Sequence, residues 1–83
     1  MGVNYSMTTK YIITMNHCLN TGETSKLLYY AGQAGGTVPR YDYRKAQAKR
    51  YLWEHEAIHD VNILKAMFSI PVSFDVVAIR CRA

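Results

Sequence analysis

The sequence predicts a small α+β domain with the layout β-β-α-α-β: a three-stranded sheet, antiparallel or mixed, with helices packed on one face. Three observations predict it. Apolar and polar residues alternate from Tyr11 to Leu19, and apolar residues return after a short polar turn, which is hairpin patterning. Between Tyr43 and Phe68 the apolar spacing lengthens to that of helices. From Phe74 to Cys81 the residues are mostly β-branched or apolar, the signature of a strand covered on both faces.

Size and composition bound the rest. The chain has 83 residues, enough for one core and not two. Its hydrophobic fraction of 49% supports that core, and its charged fraction of 19% is too low for a disordered chain. Residues 1–9 are small and polar and are expected to be a flexible N-terminus, with residues 10–83 forming the single domain. Met1-Gly2-Val3-Asn4-Tyr5-Ser6 fits the short N-myristoylation pattern, but few positions carry the match, and Met7 is an equally good start. No apolar run is long enough to span a bilayer, and the N-terminus lacks a signal peptide's apolar core. A cytoplasmic location is therefore expected, with Cys18 and Cys81 as reduced thiols.

The first strand is expected over Tyr11 to Leu19. Its more apolar set, Tyr11, Ile13, Met15 and Leu19, should face the core; His17 then points inward and Cys18 outward. Asn20-Thr21-Gly22-Glu23 makes a turn, and Lys26 to Ala31 is the returning strand. If that strand's far edge is uncovered, it offers a route to a dimer. Gly32 to Pro39 reads as a connecting loop, since the Gly-Lys-Ser/Thr of a phosphate-binding loop is absent.

A first helix is expected from Asp42, a suitable N-cap, through Glu56. It carries two apolar stripes, so it would bury one flank and offer the other to a partner. A break is expected near His59, because Asp60 looks like a second N-cap ahead of Val61, Leu64 and Phe68. Pro71 ends that second helix. The final strand, Phe74 to Cys81, is expected at the centre of the sheet.

This general layout, from Thr9 to Arg82, resembles the compact accessory proteins that bacteriophages and other mobile elements encode, many of which bind and inhibit a host protein. The resemblance implies a protein-binding role and assigns no residues to it.

Two clusters carry candidate chemistry. The first is basic and aromatic: Arg40, Tyr43, Arg44, Lys45, Lys49, Arg50 and Trp53. Net charge is +4, and this stretch concentrates it. Trp, Tyr and Arg dominate the energetics of protein interfaces, so a protein partner is expected on the first helix. The same residues make nucleic acid the alternative, although no helix-turn-helix, aromatic RNA-binding strand or zinc finger accompanies them.

The second cluster is His55-Glu56-Ala57-Ile58-His59, which matches the H-E-x-x-H pattern of zinc metallopeptidases. Catalytic zinc needs a third protein ligand and an open position for water. The metzincin extension fails, with Asn62 and Lys65 where glycine and histidine are required. No other histidine follows His59. An enzyme is therefore not expected. A zinc-binding protein is the second alternative, with His55, His59 and, from the sheet, Cys81 as ligands. The plain reading is that these are ordinary residues at a helix end, with His55 half-buried on the Tyr51-Leu52 stripe and Glu56 paired with Lys49 or facing water.

Overall fold

The computed structural model describes residues 7–17, 26–34, 38–68 and 72–82. Within them the chain forms β1 (Met7–His17), β2 (Lys26–Ala34), β3 (Val38–Asp42), a single 3-10 turn (Lys45–Gln47), α1 (Glu54–Ala66) and β4 (Val72–Arg82). The strands make one antiparallel sheet in the order β3-β2-β1-β4. This is a small α+β fold, but the expected three-stranded β-β-α-α-β layout is overturned. The described residues hold four strands and one α-helix. The expected turn at 20–23, the stop at Ser69-Ile70-Pro71 and Cys18 lie outside the described residues, and so does the side chain of His17.

β1 follows its alternation. Tyr11, Ile13 and Met15 face the helix side with Leu28 and Tyr30 of β2 and Val72, Phe74 and Val76 of β4. Against them α1 sets Ala57, Val61 and Leu64, spaced i, i+4, i+7, with Phe68 just beyond its end. Four rings cross beneath this end of the helix: Tyr30, Tyr41, Phe68 and Phe74, with successive centroids 5.9, 6.0 and 5.8 Å apart in tilted contact. β1 begins at Met7, so Met7 to Thr9, expected within the flexible N-terminus, pair with Arg82 to Arg80.

β3 is the strand that sequence reading missed. It is five residues long and contains Pro39, which weakens a strand signal and fits only an edge. β2 reaches it through an irregularity between Tyr30 and Gln33. There Gly32 holds a φ of 93°, in the left-handed region that other residues rarely adopt. With β3 on one side and β1 on the other, the strand read from Lys26 to Ala31 has no uncovered edge to offer for a dimer.

The expected first helix is also corrected. After the 3-10 turn the chain runs extended: Ala48 has φ −63° and ψ 135°, and Trp53 has φ −121° and ψ 136°. The reason is a gap in the sheet. β1 and β2 pair from Thr14↔Tyr29 to His17↔Lys26 and diverge beyond that. Residues 49–51 fill the gap. The Lys49 amide donates to the Tyr30 carbonyl at 2.8 Å, and Tyr51 exchanges two backbone bonds with Tyr11 at 2.8 and 2.9 Å. Strand carbonyls and amides left open inside the fold would be costly, and satisfying them overrides helical propensity. Asp42 caps no helix. Its carboxylate accepts the Arg44 amide two residues on, at 2.8 Å.

α1 runs without a break from Glu54 to Ala66, so the expected interruption near His59 is absent. Glu54 and Glu56 in its first turn and Lys65 in its last complement the helix dipole. Asp60 is in mid-helix, where its carboxylate serves a tertiary hydrogen bond and not a cap.

β4 corrects the last expectation. It is an edge strand, paired only with β1 among the described residues, and Ser73, Asp75 and Val77 on its face away from the helix are exposed.

Candidate functional site

The basic and aromatic cluster sits on the irregular path between β3 and α1. Arg40 is exposed on β3. Tyr43, Leu52 and Trp53 are 65%, 53% and 57% exposed, which is unusual for side chains this apolar. The Arg44 guanidinium makes a two-pronged bond to Asp42, at 3.1 Å through both Nε and Nη2. These bonds, with the backbone bond, hold the Asp42 carboxyl below its usual range. Lys45 and Arg50 are exposed.

Behind this path lies a groove of about 570 Å³. One wall is the extended stretch 49–52; the other is the helix flank bearing His55, Glu56, His59 and Asp60. Tyr51 ties the walls together. Its ring is buried, with 5% exposure, and its hydroxyl donates to Asp60 Oδ2 at 2.5 Å. Lys49 Nζ lies 3.7 Å from the same oxygen and 4.9 Å from the centre of the Tyr51 ring. Burial, then the hydrogen bond to Asp60, pushes the Tyr51 hydroxyl far above its ordinary titration range, so it stays a proton donor.

Asp60 also borders a second cavity of about 240 Å³, whose other walls include Tyr30, Ile63 and Met67. The two cavities thus share Asp60 on one flank of α1, the first of mixed polarity and the second mostly apolar. At the outer rim Trp53 stacks on His55, with centroids 6.4 Å apart and planes 19° from parallel.

The structure therefore brings Lys49, Arg50, His55 and His59 to one groove, with Trp53 at its rim. It does not bring Cys81 there. Thr8 pairs with Cys81, and Thr14 with Asp75, on the face of the sheet opposite Phe74, Val76 and the helix. The unbroken helix does place His55 and His59 on one side, as a zinc ligand pair requires. Among the described residues, however, no group of three His, Cys, Asp or Glu side chains is placed to hold a metal ion.

Sequence reading missed the Tyr51–Asp60–Lys49 cluster and the groove wall that it holds. Tyr51 and Asp60 are nine residues apart, a spacing with no meaning on a helix or a strand, so no local signal pointed to the pair. No protein family matches the chain, and neither does any curated protein or solved structure. No enzyme family is identified. Among the described residues, no helix is long and apolar enough to cross a membrane.

Proposed function

We propose that this chain is a non-enzymatic binding module that docks on a protein partner through residues 40–53 and the groove behind them. The observation that supports this reading is the exposure of Tyr43, Leu52 and Trp53 among Arg40, Lys45 and Arg50. Apolar and aromatic side chains cost free energy in water, and interfaces are where such groups gain most from burial with neighbouring arginines. The surrounding charge favours protein over nucleic acid. Glu54 and Glu56 are exposed at the start of α1, directly after the basic stretch, and Glu56 lines the groove itself. A phosphate backbone laid along the groove would meet these carboxylates; a protein surface of mixed charge would not be repelled.

Affinity capture from cell extract tests the proposal. The wild-type protein should retain a partner that withstands nuclease treatment and is lost with Trp53→Ala and with Arg50→Glu. Asp75→Asn, on the opposite face of the sheet, should retain it. Affinity for the isolated partner should then change only modestly with salt. A fall of about a thousand-fold or more between about 50 and 200 mM salt is the behaviour of a phosphate-binding surface and would transfer the site to nucleic acid. Equal capture by all three variants would remove residues 40–53 from the interface.

A further inference from the structure

The sequence of β4 reads as a central strand, yet its position is an edge. Natural sheets guard their edges with short strands, prolines, bulges or charges. β3, the other edge, is five residues long and contains Pro39. β4 has eleven residues, an unshifted register with β1 along its whole length and no proline. Its middle, Val76-Val77-Ala78-Ile79, carries no charge. Val77 is 39% exposed.

The backbone bonds fix which groups of β4 lie open. The amide and carbonyl of Tyr11 both bond to Tyr51, on the side of β1 away from β4. Tyr11 pairs with Ala78, so this is a non-hydrogen-bonded pair of the antiparallel ladder. By alternation the odd residues of β4 bond to β1, as Val77 does to Ile12. The even residues Val72, Phe74, Val76, Ala78 and Arg80 direct their amides and carbonyls to the open edge. Nothing among the described residues pairs with them there.

We propose that this edge pairs with a second copy of the chain, β4 against β4 and antiparallel, about a two-fold axis at Val77. Val77 is the midpoint of Val72–Arg82, so this register alone overlaps the full strand. It sets open groups against open groups: Val76 opposite Ala78, Phe74 opposite Arg80 and Val72 opposite Arg82 of the second copy. Asp75 falls opposite Ile79, so no like charges meet. Registers centred on Asp75 or Arg80 would set each of those charges against itself. The two Val77 side chains meet in the closely spaced, non-hydrogen-bonded position and cover each other. The two four-stranded sheets become one continuous sheet, and β4 becomes the central strand that its composition describes. The surface is separate from residues 40–53, so this pairing stands or falls independently of the proposed docking site.

Sedimentation equilibrium in reducing buffer, with the whole chain, tests the pairing. The expected mass is twice the chain's 9.5 kDa. Val77→Lys sets two ammonium groups face to face at the axis and should weaken association by about tenfold or more. Ala78→Pro removes an outward amide and leaves the ladder to β1 intact, so it should give a folded monomer by circular dichroism. Hydrogen exchange should show the even amides from Val72 to Arg80 protected in the wild type and fast in Val77→Lys. A monomeric wild type overturns the proposal, as does an assembly larger than a dimer. A dimer unaffected by Val77→Lys overturns it equally, and this variant decides the matter if Ala78→Pro does not fold.

Discussion

Replacing Tyr51 with phenylalanine tests whether the bond that joins the groove's walls also stabilises the fold. The substitution keeps the ring in its buried site and keeps both backbone bonds to Tyr11. It removes one hydroxyl, which donates to the Asp60 carboxylate. Hydrogen bonds to charged groups contribute about 1.5–3 kcal/mol. The lower end applies, because the Asp60 side chain is 27% exposed and keeps both water and Lys49 as partners. A loss of about 1.5 kcal/mol lowers Tm by about 6–12 °C in a domain of this size. Tyr41→Phe is the matched control. Its hydroxyl is buried and has no hydrogen-bond partner among the described residues, so deleting it relieves a desolvation cost. Tm should stay level or rise, by up to about 1 kcal/mol in stability. The two substitutions remove the same atom from the same residue type, so opposite outcomes isolate the Asp60 bond. Calorimetry at neutral pH reads both. If Tyr51→Phe proves as harmless as Tyr41→Phe, the Tyr51–Asp60 bond contributes nothing net and the reasoning fails.

Three further outcomes are expected. Alkaline titration should destabilise the fold. Burial pushes the Tyr41 hydroxyl up to about 12 and, with help from the Asp60 charge, raises that of Tyr30, while Tyr51 lies higher still. Unfolded tyrosine ionises near 10.0, so the unfolded chain releases protons that the folded one holds. The stability is complete below pH 10.0 and is lost as pH rises from there through about 12, which denaturant melts across that window will follow; a flat profile contradicts it. Leu64→Ala should cost about 2–5 kcal/mol, because Leu64 is buried between α1 and the sheet, whereas Trp53→Ala should change stability by less than about 0.5 kcal/mol while abolishing partner capture. Chelator should leave Tm unchanged, because Cys81 lies across the sheet from His55 and His59; a drop in Tm, with stoichiometric zinc by elemental analysis, would restore a metal site.

Local pattern determined a good deal of this protein. The alternation of Tyr11, Ile13 and Met15 marked the inner face of β1, and the spacing of Val61, Leu64 and Phe68 marked the helix face that meets it. The basic and aromatic residues Arg40, Tyr43, Arg44, Lys45, Lys49, Arg50 and Trp53 were legible as a candidate surface, and all seven are exposed in the fold. What the sequence did not carry is the backbone those residues adopt. The helical spacing from Tyr43 to Glu56 was real, but propensity contributes tenths of a kcal/mol per residue, and unpaired strand groups inside a fold cost more. The gap between β1 and β2 therefore draws residues 49–51 into the sheet, and α1 starts at Glu54 instead of Asp42. Tertiary structure decided the partnership of Tyr51 with Asp60 for a similar reason, since it joins two elements at no periodic spacing. It also decided the place of β4. A run of β-branched residues specifies that a strand be covered but not by what, and among the described residues one helix and one flanking strand cover β4.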